Sequence, residues 1–508
     1  MALPVIRLNP KLEGDLEFKG RTYSVPFALP GDLVQFQLKR RGRKTKFRVV
    51  HIERGSFPVS DIETVTPFCP YFGDCGGCRA QHISYREQVR IKCTPVLRTL
   101  ADRYQLNDVT PLEAPDARDY RNRMDFAVNA GTIGLRPAGE FGRFVDIDRC
   151  EIQSERSNVL LQCSRELLFE YPDVMYARGT ETTDGKAASV TDAQSKDSAG
   201  LENDSVDGMA PPDAILPDAG VLKYITIRSG AESGVVIFTI EPNASNYARE
   251  RYGLFVADYK KILKNEFPEF SLVECDCAAP ADLSVTSNGR VLLGQGAYTE
   301  RLGGREFQVP YDAFFQPNPA AFDLLLKWCR ERLADVLDSS AHSSSGAPDQ
   351  PAATLLDLFC GAGVLSAILT DFFPHSFQRV IGMESVPSAV ERASQNFAHF
   401  MGEAQFHCVD LFQPDDKQRE LLRTALGNPN LELVVMDPPR AGLGKVVCDL
   451  IRAESRAPYI LYISCNPESQ FRDLEQMDDA YEVIAAQPVD CYPHNAHLEQ
   501  AVLLQRRG

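Results

Sequence analysis

Leu355-Leu356-Asp357-Leu358-Phe359-Cys360-Gly361-Ala362-Gly363 is an apolar run that closes on a glycine turn, and Val364 to Phe372 after it has helical spacing. The segment therefore predicts strand, tight turn and helix. Glycines in such a turn let the backbone approach a ligand at the carboxyl end of the strand. A strand-to-helix turn needs glycine for steric reasons as well, so the pair alone identifies no ligand.

The next apolar segment, Val380-Ile381-Gly382-Met383-Glu384, ends in an acid 27 positions after Asp357. A carboxylate there is suited to accept hydrogen bonds from ribose hydroxyls. The turn lacks the third glycine of the pyrophosphate fingerprint, which argues against a dinucleotide. S-adenosylmethionine, a nucleoside cofactor without pyrophosphate, meets both observations. Asp410 follows a third apolar segment, Phe406 to Val409, where an adenine contact competes with a local capping role.

Around this core, from about residue 310, helical and strand-like segments alternate: Ala320 to Leu337, Thr354 to Phe359, Val364 to Phe372, Val380 to Glu384, Ser388 to Phe400, Leu433 to Asp437 and Tyr459 to Ser464. Such alternation implies an α/β fold with a doubly wound parallel sheet of Rossmann-like type over 306–508. The Ser- and Pro-rich stretch 338–353 reads as a loop insertion. With 508 residues, the chain is long enough for roughly three domains. Residues 1–60 carry short strand patterns, including Leu33 to Leu38 and Phe47 to Val50 around Pro30-Gly31-Asp32, and predict a small β-barrel of the OB type. Residues 61–305 form a mixed α+β middle region. Within it, 177–220 holds nine acidic residues, three basic and no aromatic, a composition that predicts a disordered insert.

The net charge of −16 opposes binding to phosphates on average, yet residues 1–60 hold twelve Lys or Arg against five Asp or Glu. The run Lys39-Arg40-Arg41-Gly42-Arg43-Lys44-Thr45-Lys46 sits within that basic segment, as a solvated hairpin tip or an RNA contact. No stretch approaches a membrane span, and the start lacks a secretion signal. Fourteen scattered cysteines suit a reducing compartment, so a cytoplasmic location with no membrane and no implied protein partner is expected.

Cys465, in Ile463-Ser464-Cys465-Asn466-Pro467, lies 28 positions after Asp437-Pro438-Pro439-Arg440 and 34 before Glu499. A lone cysteine after an apolar run is ordinarily a small buried hydrophobe. Here a turn bearing one acid and a late carboxylate accompany it, the components of a nucleophile, a ligand and a base.

Together with Phe314-Phe315-Gln316-Pro317-Asn318 and Pro493-His494-Asn495-Ala496-His497-Leu498-Glu499, these ordered islands resemble the RNA (uracil-5-)-methyltransferases, the family of bacterial 23S rRNA and tRNA 5-methyluridine enzymes. The resemblance is strong over the last two hundred residues and looser in the basic barrel, which is similar to a TRAM domain. It implies that Gln316, Phe359, Glu384 and Asp437 contact S-adenosylmethionine, that Cys465 is the nucleophile and that Glu499 is the proton-abstracting base. One departure is Val364, where family members often carry Asn after the last glycine. The resemblance also makes Arg123, in Tyr120-Arg121-Asn122-Arg123, a candidate RNA contact, with structural ion pairing as the alternative.

Cys69, Cys75 and Cys78 follow C-x5-C-x2-C, a spacing that alone leaves a four-thiolate zinc open. The resemblance adds Cys150 and implies a [4Fe-4S] cluster. Radical enzymes that use the same cofactor carry a C-x3-C-x2-C spacing instead. Cys93 lies in a helical pattern and is expected to pack, and His494 and His497 lack a third ligand of suitable spacing. The expected activity is methylation of uridine carbon 5 in structured RNA, 23S rRNA preferred and tRNA the alternative. An RNA-binding or redox-sensing protein on the same fold is the contrasting class.

Overall fold

The computed structural model describes residues 2–41, 44–55, 62–140, 142–178, 220–341 and 353–508. The carboxyl-terminal part is built on seven strands: β1 (Thr354–Leu358), β2 (Arg379–Glu384), β3 (Glu403–Cys408), β4 (Leu431–Met436), β5 (Tyr459–Ser464), β6 (Tyr481–Val489) and β7 (Glu499–Arg506). Their order is β3-β2-β1-β4-β5-β7-β6. The first five are parallel, and β7 inserts antiparallel to both neighbours. Leu356, Leu358 and Val434 enter one core while Leu355, Leu433 and Val435 enter the other, as a sheet covered on both faces requires. This is the expected Rossmann-like arrangement. Because β1 has β2 on one side and β4 on the other, the chain changes direction there and opens a crevice at the carboxyl ends of these strands.

Two helix ends differ from expectation. The helix after β2 spans Pro387–Asn396 and stops short of Phe400. Phe397 instead turns inward, with its ring 5.4 Å from Phe400 and 5.1 Å from Phe406, so apolar spacing continues after the helix has ended. The helix before β1 runs Pro319–Ala341, past the expected start of the loop insertion, and 342–352 lie outside the described residues.

The middle region holds a second seven-stranded sheet, ordered Arg290–Leu293, Phe270–Asp276, Gly234–Ile240, Leu222–Ser229, Arg123–Asn129, Thr132–Leu135 and Val145–Asp146. The helices Glu155–Glu170 and Asn246–Glu266 bury Leu160, Phe255 and Tyr259 against its Phe126, Ile225 and Phe238. Of the expected disordered insert, 179–219 lie outside the described residues. At its leading edge Arg178 donates to the carbonyls of Val128 (2.7 Å) and Lys223 (3.1 Å) and pairs with Asp282 at 2.9 Å.

Among the described amino-terminal residues, the strands form two three-stranded sheets, Ala2–Pro4 with Leu33–Arg41 and Lys44–Glu53, and Arg7–Leu8 with Gly14–Phe18 and Arg21–Val25. Val5, Leu16, Val25, Ala28 and Val34 form one small core between them. The basic run lies on the hairpin where Lys39 pairs with Lys46 and Arg41 with Lys44.

The helix Tyr85–Tyr104 crosses from the cysteine segment to the carboxyl-terminal sheet: Val89, Cys93, Val96 and Leu100 complete the core beneath Leu358, Ala486 and Leu498. Cys93 packs there, fully buried. Among the described residues no helix is long and apolar enough to cross a membrane.

Candidate active site

A cavity of about 1100 Å³ opens at the crevice, and Gln316, Phe359, Glu384, Asp437, Cys465 and Glu499 all line it. The six residues singled out from sequence thus face one space. Its floor is the turn after β1, where Phe359, Gly361 and Gly363 have φ of 62°, 52° and 71°. The two glycines serve different ends. A Cβ on Gly361 would meet nothing within 4 Å, leaving backbone open to an occupant, whereas one on Gly363 would lie 3.2 Å from Ala393 Cβ. Phe359, a non-glycine residue in the left-handed region, carries the strain typical of functional turns.

Glu384 stands at the end of β2. One oxygen accepts from the N–H groups of Ser385 (2.7 Å) and Val386 (2.9 Å), and the other from Gly361 N–H at 3.2 Å. These bonds fix the carboxylate across the turn. Asp357 is buried within β1 and accepts from the Ser366 hydroxyl, while its Oδ1 has no partner. Burial, with the nearby Asp437 and Glu384 charges, pushes its carboxyl up to about 7. Val364 adds an apolar wall. Asp410 does not line the cavity; its side chain accepts from Phe412 and Gln413 N–H as a local turn cap.

Cys465 follows β5 and is followed by Pro467 at the first turn of the helix Pro467–Met477. Asn466 donates to the Arg440 carbonyl at 2.9 Å, tying the cysteine turn to the turn bearing Asp437. Asp473 accepts from Tyr462 OH and Leu443 N–H, both at 2.7 Å, and bars any side chain at Gly442, whose Cβ would lie 2.4 Å from it. Burial first, then the Glu499 and Asp437 charges, raise the Cys465 thiol to about 12, and Arg440 opposes them.

Glu499 opens β7, is 2 % exposed and accepts from Tyr492 OH at 3.1 Å. Burial raises both Asp437 and Glu499, and each disfavours ionisation of the other. Both carboxyls therefore give up their protons less readily than exposed ones do. Tyr492 and Arg440 act against this rise at Glu499. Sequence reasoning gave no role to Tyr492, Arg440 or the free oxygen of Asp357. Tyr492 lies just before a recognised island, and no local pattern marks it.

Residues 490–498, which lead into Glu499, are held from the other end of the chain. Lys92 pairs with Asp490 at 2.6 Å and donates to the Asn495 carbonyl at 3.1 Å. Gln88 meets His494 Nδ1 at 3.1 Å, His494 Nε2 lies 3.0 Å from the Ala117 carbonyl, and Asn495 donates to the Gly77 carbonyl at 3.3 Å. His494 is thus a packing residue.

Cys69, Cys75, Cys78 and Cys150 line a second cavity of about 310 Å³, with Arg121 and Asn495 on its wall. Gly76 permits the wrap, since a Cβ there would lie 2.8 Å from Ala138 N. Burial and the other three sulfurs raise the Cys78 thiol to about 12, with Gln81 opposing. Among the described residues no three His, Cys, Asp or Glu side chains converge as ligands of a single metal ion.

The tRNA (uracil-5-)-methyltransferase family model matches residues 286–507. An uncharacterized RNA methyltransferase of Leptospira interrogans serogroup Icterohaemorrhagiae serovar Lai is 30% identical, covering 99% of this chain and 96% of the relative. A second, from Bacteroides thetaiotaomicron, is 26% identical over 95% of this chain and 96% of its own length. The solved Pyrococcus abyssi tRNA (uracil-54, C5)-methyltransferase in complex with S-adenosyl-L-homocysteine has a TM-score of 0.63 at 21% identity, covers 99% of this chain and 100% of its own, and shares the fold. With a near full-length relative and a family model spanning the crevice, its thiol and its carboxylates, this chain belongs to the RNA (uracil-5-)-methyltransferase family.

Proposed function

We propose that this protein methylates carbon 5 of a uridine in structured RNA through a covalent adduct at Cys465, with S-adenosylmethionine as methyl donor. The observation that carries this is the convergence of Cys465, Asp437 and Glu499 on the cavity floored by the glycine turn. Gln316, Phe359, Glu384 and Asp437 hold the donor, and the open face of Gly361 fits a close ligand. The donor supplies an electrophilic methyl group and, through its sulfonium, a positive charge that favours the ionised forms of nearby acids.

Uracil carbon 5 is too weak a nucleophile to take a methyl group unaided. Cys465 gives its proton to water and its thiolate adds to carbon 6, and the electron pair of the 5,6 double bond moves into an enolate that makes carbon 5 nucleophilic. Carbon 5 attacks the methyl group, whose bond to the donor sulfur breaks; Glu499 then takes the remaining carbon 5 proton, the double bond reforms and Cys465 leaves as its thiolate. With a thiol raised to about 12, ionisation must be assisted, and Arg440 is the cation facing it. The target base must leave its stack to present carbon 6.

Tyr492 keeps Glu499 in the form that accepts a proton. Removing its donated hydrogen bond in Tyr492→Phe raises the Glu499 pKa, so the acid limb of the pH–rate profile moves upward by roughly one pH unit. Turnover therefore falls near neutral pH and recovers as pH rises. An unshifted limb would assign Tyr492 to packing alone.

Cys69, Cys75, Cys78 and Cys150 line one small cavity, and four thiolates around one space are a donor set that a [4Fe-4S] cluster accepts. There it would order the cysteine wrap and, through Gly77 and Asn495, support the segment before Glu499. All fourteen cysteines are free, consistent with a reducing cytoplasmic setting. The preferred substrate is 23S rRNA, with the basic hairpin and Arg123 on its flanks. Anaerobically purified protein incubated with labelled donor and either 23S rRNA or tRNA should label 5-methyluridine in the ribosomal RNA and contain about four irons per chain. Label in adenosine or cytidine sinks the reaction, label only in tRNA sinks the preferred substrate, and zinc alone sinks the cluster.

A further inference from the structure

Arg228, on the middle-sheet strand Leu222–Ser229, is 2 % exposed and lines the same cavity as Cys465 and Glu499. Its Nη1 donates to the Ala313 carbonyl, and its Nε has no partner. Among the described residues it forms no ion pair. The acid facing it, Asp125, is already held by Arg123 at 3.0 Å and by Thr226 Oγ1 at 2.8 Å. Tyr298 hydrogen-bonds to Arg228, and burial together with the Arg123 charge depresses the Arg228 pKa while Tyr298 and Asp125 oppose the fall. A buried guanidinium that shares its one nearby acid with a second arginine is only partly compensated, and an anionic ligand beside it would complete the balance. Arg123, whose Nε and Nη2 are taken by Asp125, lines the cavity beside it and adds a second positive charge.

We propose that Arg228, with Arg123 beside it, is an oxyanion subsite of this cavity, filled by a phosphodiester of bound RNA or by the carboxylate of the methyl donor. The subsite rests on the methyltransferase reading for its two ligands but not on which base is modified. Its test is binding rather than turnover, so the two ideas fail separately.

Arg228→Met removes the charge at similar size. Its thermal midpoint should not fall, because a buried charge is gone and Asp125 keeps Arg123 as its partner, while one ligand weakens at least about tenfold. In the RNA arm, affinity for a short RNA stem-loop falls and the slope of log affinity against log salt becomes shallower by about one. In the donor arm, calorimetric affinity for S-adenosylhomocysteine falls instead. The arm that responds identifies the anion. Unchanged affinity in both arms with folded protein overturns the subsite, as does a lowered midpoint with both affinities intact. If Arg228→Met does not fold, Arg123→Met at the half-buried neighbour takes its place: a roughly threefold loss for either ligand supports the subsite, and none overturns it.

Discussion

Cys465→Ala abolishes turnover, by about 10⁴-fold or more, while S-adenosylhomocysteine binds as tightly as to the unaltered protein. The size follows from the role: without sulfur at carbon 6, carbon 5 has no enolate to draw on, and the remaining groups only hold the reactants together. Glu499→Gln separates the two halves of the cycle. The amide cannot take the carbon 5 proton, so methylation proceeds once and the product stays bonded to sulfur. A protein–RNA band that survives denaturing electrophoresis should accumulate in Glu499→Gln and be absent from Cys465→Ala and from the double variant. Retained turnover in Cys465→Ala, or no band from Glu499→Gln with labelled RNA, would falsify the covalent route.

Lys92→Met has the second largest effect, and it acts through the fold. The Lys92 and Asp490 side chains are 1 % and 0 % exposed and 2.6 Å apart, so the substitution strands a buried carboxylate. Breaking such a pair from one side costs about 3–5 kcal/mol. It also frees the carbonyls of Tyr492 and Asn495, loosening the segment that aims Tyr492 at Glu499. Denaturant unfolding should shift accordingly, and turnover should drop in the protein that remains folded. Lys92→Met with Asp490→Asn should recover part of the stability, since the double change leaves no stranded charge. A double variant no more stable than the single one would show that the ion pair is not the source of the loss.

What could be read in advance was whatever is local in the chain. The stretch Leu355 to Gly363 states strand, turn and helix within nine residues, and each short island around Gln316, Asp437, Cys465 and Glu499 carries its own signature, so their meeting in one cavity follows from the parallel sheet. Contacts across the chain left no such mark. Gln88 and His494 lie 406 positions apart, and the helical spacing of Val89, Cys93, Val96 and Leu100 announces an apolar face without naming the sheet it covers. Tyr492 depends on a hydroxyl reaching Glu499 around a bend, and Arg228 on an acid that Arg123 already holds, neither of which any periodicity reports. Helix ends near Phe397 were overrun because aromatic spacing persists into the following turn.

The early helix that seals the catalytic sheet has a cost during synthesis. Tyr104 leaves the ribosome about 250 residues ahead of Thr354, the start of the first strand it must cover. At the usual pace of translation the wait is roughly ten to fifty seconds. For that interval Val89, Val96 and Leu100 stand on a finished helix with nothing to meet them, a natural landing place for a chaperone. A shortened gene product that stops before Thr354 would leave that face open for good, marking it for proteolysis rather than for a second life as an RNA-binding fragment.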